Sequence, residues 1–529
     1  MPDESFASVS SNERVPWSQI VILMAGTFMA FLDTSIINVA IPKMMSSFGV
    51  GENTIQWVST AYLLSAGVSI SIIGYFSDRF GLKNIFIFSI TVFTLGSALC
   101  SVAQNETFLV MARAIQAVGG GAIMPVTTAY IYHIVPKEKI GMALGIRGIA
   151  MAMGPAMGPA LGGYLVDRYD WHIIFTINIP VGVLVTLIGL MSLPQVPRQR
   201  PPTLDLWGAL SITTGSFCLL LALSRGQAVG WGTLFIVSTL LIGCFSLILF
   251  VLWELSAENP LADFRIFKGN PVLGASFVGT SILTITLYAS MFLIPIFVQR
   301  VMGFTPYRTG LLMLPGAIVM GVLTPIVGRL FDKVGALPLC VVGIPISVWS
   351  TYQLGQINLS TSFHTIQYWV AIRSVGFALT MMPITVAGLN TVPRKEMNRV
   401  TSINSLVRQI SGALGIAYFT YVLNRQEVFS YALYAQQITI NRLAVSAFLS
   451  KTQNFFLHHV VQGGQLAKSH SLALLYLAAN MQSNVLAIDY TLILSAIVLL
   501  AMLPLVFFLR QPKRATVPPE KTRDTFPKL

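Results

Sequence analysis

An aspartate, Asp33, stands inside an apolar stretch that runs from about 18 to 42. An ionised carboxylate deep in hydrocarbon costs about 2.5–3.5 kcal/mol unless it is paired or hydrated. Desolvation favours the neutral form of such an acid. A carboxylate poised between the two states can load and release a proton. Of the twenty acidic residues, Asp33 alone is expected deep in a span. Arg113 lies in another apolar stretch, about 107–133. A buried guanidinium keeps its charge and must find carbonyls or a carboxylate, and Asp33 is the only deep acid on offer. The pair is therefore the candidate proton-coupling unit. The plainer alternatives are a carboxylate held in a helix-packing hydrogen bond and an arginine bonded only to backbone and water. Other chemistry finds no support. An ATP-driven pump needs a phosphate-cradling G-x-x-x-x-G-K-[ST] loop, and the chain has no Gly-Lys dipeptide. His458 and His459 are adjacent but lack zinc-ligand spacing. No enzyme, metal site or cofactor is expected.

The elements that position these residues follow from composition. Hydrophobic residues make up 54% of the 529 positions and charged residues 10%, against the ~25% charged residues of a soluble domain. A soluble enzyme, a disordered chain and a secreted disulfide scaffold are excluded. The four cysteines lie singly in apolar stretches, as core residues. A membrane span needs ~20 apolar residues. Runs at about 18–42, 54–74, 84–103, 107–133, 141–166, 173–193, 208–223, 233–253, 272–298, 309–329, 337–355, 363–389, 400–423 and 488–510 give fourteen such spans. The fold class expected is an all-α polytopic membrane protein. With alternate loops assigned to the cytoplasm, starting from the N-terminal tail, those loops hold 21 Lys and Arg against 9 opposite, Arg147 counted among the 21. By the positive-inside rule both termini are cytoplasmic. The net charge of +13 then reflects topology, and no nucleic-acid partner is expected. The outer loop 424–487 mixes polar residues with apolar pieces such as 472–477, which suits short amphipathic helices at the interface.

The chain also repeats itself. Gly74, Asp78, Arg79 and Gly81 read G-x-x-x-D-[RK]-x-G, and so do Gly328, Asp332, Lys333 and Gly335, 254 residues on. Arg113 and Arg373, Pro125 and Pro383, and the loops opening at Val135 and Val392 repeat at offsets of 260, 258 and 257. Two homologous six-helix bundles are expected, with two helices inserted between them. Parallel six-helix repeats of this kind hold substrate near the midplane, between the halves.

The motifs resemble those of the major facilitator superfamily over nearly the whole chain. Within it the likeness is to the fourteen-span drug:proton antiporter group that includes the EmrB and QacA proteins. The run from Phe31 through Asp33 and Asn38 to Pro42 is similar to that group's first-span signature. The resemblance implies that Asp33 couples protons and senses cationic drugs. It implies that Gly74, Asp78, Arg79 and Gly81, with the looser copy around Asp332, latch the two halves together. Arg79 is expected to pair across the bundle boundary. Leu82 stands where the family usually has Arg. Arg113 and Gln116 match a fourth-span motif in which Ala117 replaces a glycine. Gly154, Pro155, Gly158, Pro159, Gly162 and Gly163 resemble the antiporter motif of the fifth span, which exporters carry and related importers generally do not. The stretch from Trp171 through Asn178 to Gly182, and Gln299, Asn404 and Arg408, resemble further family positions. Candidate substrate-cavity residues are Asn38, Trp57, Tyr62, Gln116, Gln299, Asn404 and Arg408.

The domain plan is a cytoplasmic tail 1–17, a first bundle 18–193, an insertion 194–271, a second bundle 272–510 that includes the outer loop, and a tail 511–529. The function expected is proton-coupled export of hydrophobic or amphipathic drugs by alternating access. A dedicated exporter of one metabolite, lipid or antibiotic is the first rival, and a non-transporting membrane sensor or scaffold the second. The partners implied are a small-molecule substrate, protons and the bilayer of the cytoplasmic (inner) membrane. In a double-membrane bacterium the resemblance adds a periplasmic adaptor.

Overall fold

The computed structural model describes residues 16–136, 139–196, 205–257, 260–261, 263–438, 443–459 and 464–509. Residues 1–15 and 510–529, and the side chain of Pro155, lie outside the described residues, and α1 already begins at Trp17, the last residue assigned to the first tail. Every regular element described is helical, in the order α1 Trp17–Phe48, α2 Glu52–Phe80, α3 Leu82–Ser101, α4 Glu106–Ile134, α5 Ile140–Arg168, α6 Ile173–Thr176, α7 Asn178–Ser192, α8 Leu206–Val229, α9 Leu234–Ser256, α10 Pro271–Ile296, α11 Pro306–Val334, α12 Ala336–Leu354, α13 Phe363–Leu389, α14 Met397–Gln437, α15 Leu443–His459, α16 Gly464–Leu500 and α17 Leu503–Val506. In lipid a backbone group has no water to bond, so each apolar run closes its hydrogen bonds within itself as a helix.

Thirteen helices among the described residues are long and apolar enough to cross a membrane. The run expected at 141–166 is α5, a fourteenth helix of 29 residues, several of whose side chains lie outside the described residues. Polar caps start several helices. Asn105 accepts from the Phe108 amide at 2.8 Å, Asp205 from Gly208 at 2.9 Å, and Asn270 from Leu273 at 3.1 Å just before Pro271. Each cap satisfies an orphan amide of the first turn.

Helices α1, α2, α8, α11, α14 and α16 exceed their apolar runs by a turn or more. The largest departure is the outer loop 424–487. It is not a chain of short interfacial helices. Helix α14 continues to Gln437, α15 folds back, and α16 begins at Gly464, far ahead of its apolar stretch. The 41 residues of α14 extend ~60 Å at 1.5 Å per residue, about twice the hydrocarbon thickness. Polar residues raise no barrier to a helix that leaves the lipid, and α15 packs on α16.

Helix pairing shows the duplication directly. In the first group α1 packs on α5 and α7, α2 on α4, and α3 on α4 and α7. In the second, α10 packs on α14 and α16, α11 on α13, and α12 on α13 and α16. Each pairing recurs in the same position. Between the groups α2 packs on α14 and α11 on α5, again as copies. The inserted helices lie outside this arrangement. Helix α8 packs on α2 and α14, with Ser71 and Ser216 hydroxyls 3.1 Å apart. Helix α9 packs on α8, and its outer side chains, such as Leu234, Leu241 and Phe245, are exposed as lipid-facing residues must be.

Candidate functional site

Small residues bring α4 close enough to its neighbours to build the site. A Cβ at Gly96 of α3 would sit 2.4 Å from the Gln116 Cα, and one at Gly121 of α4 would sit 2.6 Å from the Ala66 carbonyl of α2. Such backbone approach is the main source of helix association in lipid, where apolar burial supplies no drive. It aims Arg113 and Gln116, one turn apart on α4, at α1.

There they meet Asp33. One Arg113 terminal nitrogen donates to Asp33 Oδ2 at 2.6 Å and to Gln116 Oε1 at 2.6 Å. Gln116 Nε2 donates to Asp33 Oδ1 at 2.9 Å and to Ser97 Oγ at 2.7 Å. Asn178 Nδ2 donates to the same Oδ1 at 2.9 Å. Side chains from α4 and α7 thus converge on the α1 carboxylate, and Ser97 of α3 holds Gln116 in place. Asp33 and Arg113 are each 1% exposed, and Gln116 is fully buried. The guanidinium stacks over Tyr62 at 4.3 Å and Phe175 at 5.6 Å. Charge-assisted bonds of this kind are about twice as strong as neutral ones. The pair is thus buried away from the molecular surface in this conformation.

The sequence reading paired Asp33 with Arg113 but missed Asn178, Ser97 and Phe175 as members of the site. Asn178 stood in a motif yet carried no chemical signal of its own. It stands at the first position of α7, and its amide faces the bundle interior, where it is buried.

The G-x-x-x-D-[RK]-x-G copies act alike at one end of the molecule. A Cβ at Gly74 would sit 3.0 Å from the Arg399 Cα, and one at Gly328 would sit 2.4 Å from the Gly141 carbonyl. Each motif therefore lays its helix on the backbone of the other bundle. Gly81 and Gly335 then turn the chain with φ of +87° and +80°, which a side chain disfavours. Asp78 accepts from Asn398 Nδ2 at 2.7 Å and from Arg399 Nε at 3.0 Å, in the first turn of α14. A Cβ at Gly141, in the first turn of α5, would sit 2.5 Å from Asp332 Oδ1. A carboxylate is favoured at both of these helix N-termini.

The cross-boundary ion pair is thus Asp78–Arg399. Arg79 does not cross. It donates to the Tyr75 hydroxyl at 3.1 Å, one turn back on its own helix. One residue rotates the side chain by about 100° around the helix, so Asp78 and Arg79 cannot face the same neighbour. A double-mutant cycle of Asp78→Asn and Arg399→Gln, read as melting of the purified protein, should give a coupling of about 0.5–3 kcal/mol. Strictly additive losses would show that the two side chains do not interact.

The antiporter-motif glycines pack α5 on α1. A Cβ at Gly154 would meet Phe31 at 2.7 Å, at Gly158 Ser35 at 2.2 Å, and at Gly162 Ile36 at 2.7 Å, while Gly163 faces open space and Pro159 is partly exposed. Their i, i+4, i+8 spacing makes one face, and that face flanks the turn carrying Asp33.

The remaining candidates scatter. Tyr62 and Gln116 belong to the Asp33 cluster. Trp57 holds Arg225 of α8 over its ring at 4.9 Å. Asn38 is exposed, and Gln299 is exposed in the π-helical turn that ends α10. Asn404 is buried and Arg408 half-buried on α14. Two placements correct the sequence reading. Arg147, counted with the loops, is buried in α5. Glu254 is also fully buried, because α9 runs one turn beyond its apolar stretch. Among the described residues Asp33 remains the fully buried acid at mid-helix, since Asp78 and Glu254 sit in the last turns of α2 and α9 and Asp489, within α16, is only half-buried.

Comparison with known proteins agrees with this architecture. The family model of the Major Facilitator Superfamily matches residues 23–416. The chain is 35% identical over 504 residues to the MFS-type transporter YhcA of Bacillus subtilis, covering 95% of this chain and 94% of that one. It is 28% identical to the lincomycin resistance protein LmrB of Listeria monocytogenes, over 75% and 83% of the two chains. It is also 28% identical to a multidrug resistance protein B homolog of Mycobacterium tuberculosis, over 78% and 77%. Among solved structures it superposes on the human organic anion transporter MFSD10 with a TM-score of 0.58 at 12% identity, over 92% and 100% of the chains. The proton:xylose symporter XylE superposes with a TM-score of 0.54 at 13% identity, over 92% and 96%. The chain belongs to the major facilitator superfamily. It is a multi-pass membrane protein of the transporter class and not an enzyme.

Proposed function

We propose that this protein is a proton-coupled exporter of hydrophobic or amphipathic compounds. The observation that carries the reading is the sealed cluster of Asp33, Arg113, Gln116 and Asn178 at the core of the first bundle. A buried ion pair in a membrane is costly, and its retention needs a role beyond packing. Protonating Asp33 cancels its half of the pair. Arg113 must then seek new partners, which shifts the balance between conformations by the difference in its contacts. The relatives named for lincomycin and multidrug resistance support the drug side. The glycine face of α5, packed beside Asp33, supports the direction.

With the basic loops in the cytoplasm of the inner membrane, the end carrying Asp78 and Asp332 faces inward, and both termini lie there. The backbone contacts at Gly74 and Gly328 then make this a conformation closed to the cytoplasm. The outer extension of α14–α16 is the surface an adaptor would meet.

Proteoliposomes test the proposal. Adding an exported compound under an imposed pH gradient should move protons in proportion to compound moved, and collapsing the gradient should stop accumulation. Uptake that is indifferent to the gradient would overturn proton coupling. Asn178→Ala leaves Oδ1 with a single donor. A hydrogen bond to a charged group is worth about 1.5–3 kcal/mol. Coupled flux should therefore fall about 10- to 100-fold at the wild-type optimum, with the pH profile displaced. An unchanged profile would remove Asn178 from the coupling site.

A further inference from the structure

We infer that the contact between the bundles holds an anion-binding site built on Arg147 and Arg408, and that the transported compounds include amphipathic organic anions. The inference rests on the export reading and names its substrate class. Arg147 is 6% exposed on α5, and its Nε and Nη1 have no hydrogen-bond partner. Its electrostatic neighbours are the guanidinium of Arg408 on α14 and the ring of Tyr132 on α4, whose buried hydroxyl is likewise unpartnered. Beyond Arg408 stands Tyr288 of α10, its ring 3.5 Å from where a Cβ at Gly412 would lie. The ion pairs among the described residues use Arg113, Arg265, Arg399 and His172. Arg147 and Arg408 enter none of them.

A buried guanidinium that faces a second positive charge and has no carboxylate partner is several kcal/mol unfavourable. An anion between them removes that cost, and a guanidinium fork suits carboxylate, sulfonate or phosphate oxygens. The position is right for cargo. Arg147 lies six residues along α5 from the Gly141 contact and Arg408 ten along α14 from Asn398, which is ~9 and ~15 Å above the sealed end at 1.5 Å per residue. The duplication explains the excess positive charge. Arg113 recurs as Arg373, which is also buried with unpartnered nitrogens. Helix α10, which stands in the second group where α1 stands in the first, contains no acid. The second bundle kept the base and lost the acid. Among the described residues no carboxylate stands with Arg147 or Arg408 in their electrostatic surroundings, and the oxygens of Asp33 are already engaged. The Tyr132 and Tyr288 rings favour an apolar or aromatic body on the anion.

The test is equilibrium binding to the purified full chain, with no proton gradient, of 2-naphthoate, 2-naphthamide and 2-naphthylmethylamine. These share one ring system and differ in charge. The native chain should bind naphthoate at least about tenfold more tightly than the amine, and Arg147→Gln with Arg408→Gln should lose about 10- to 100-fold for naphthoate alone. Arg147→Lys with Arg408→Lys controls for folding and should keep the preference. An amine that binds as well as naphthoate, or a preference that survives the Gln pair, overturns the site. Protection by chloride at the same arginines without naphthoate binding would show an inorganic-ion site and overturn the substrate class. Because no gradient is involved, anion binding with no coupled flux would sink the export reading and leave the site standing.

Discussion

Asp33→Asn should abolish drug-induced proton movement while leaving the folded protein in the membrane. Asparagine keeps the shape and retains one acceptor for the Arg113, Gln116 and Asn178 donors. It cannot exchange a proton. Coupled flux should fall at least ~100-fold, equivalent to about 2.7 kcal/mol. Arg113, left buried without its counter-charge, should also cost the fold about 3–5 kcal/mol, so melting must be measured on the same preparations. Arg113→Gln in the Asp33→Asn background removes that stranded charge. The double variant should recover stability and remain uncoupled. If Asp33→Asn couples as well as the native chain, the proton carrier lies elsewhere and the cluster is structural.

Gly328→Val should open the sealed end. The added Cβ would stand 2.4 Å from the Gly141 carbonyl and 3.1 Å from the Met142 Cα, and backbone cannot rotate away as a side chain can. Overpacking costs about 1–3 kcal/mol, levied only on the conformation in which α11 and α5 touch. That shifts the balance between conformations about 5- to 150-fold. Spin labels at Asn84 of the first bundle and Lys333 of the second, in a background lacking the four native cysteines, report the change. The expected result is a new, longer distance component in Gly328→Val, with the same result for Gly141→Val. An unaltered distance distribution would mean that these glycines do not form the closing contact. Gly163→Ala, with nothing within 4 Å of its Cβ, is the matched control and should change neither distance nor flux.

The amino-acid sequence by itself determined the helices and the acid. Apolar runs become helices because lipid offers the backbone no other partner, so the order of spans was legible without any contact. Asp33 was legible because an acid at mid-run has no cheap reason to be there. The doubling of G-x-x-x-D-[RK]-x-G announced two like bundles. Only the tertiary structure decided who meets whom. Asp78 finds Arg399 across 321 residues, whereas the neighbouring Arg79 folds back on Tyr75. Asn178 reaches Asp33 from 145 residues away. Arg147 was counted with the loop charges although the apolar run 141–166 contains it, and the structure buries it within α5. The outer loop became long helix although much of it, including Val428, Phe429, Phe455 and Tyr476, stays exposed. Helical period and hydropathy are local quantities. The facing of two helices depends on glycine-permitted approach and on turns at residues such as Gly81 and Gly335, whose effects add over the whole chain.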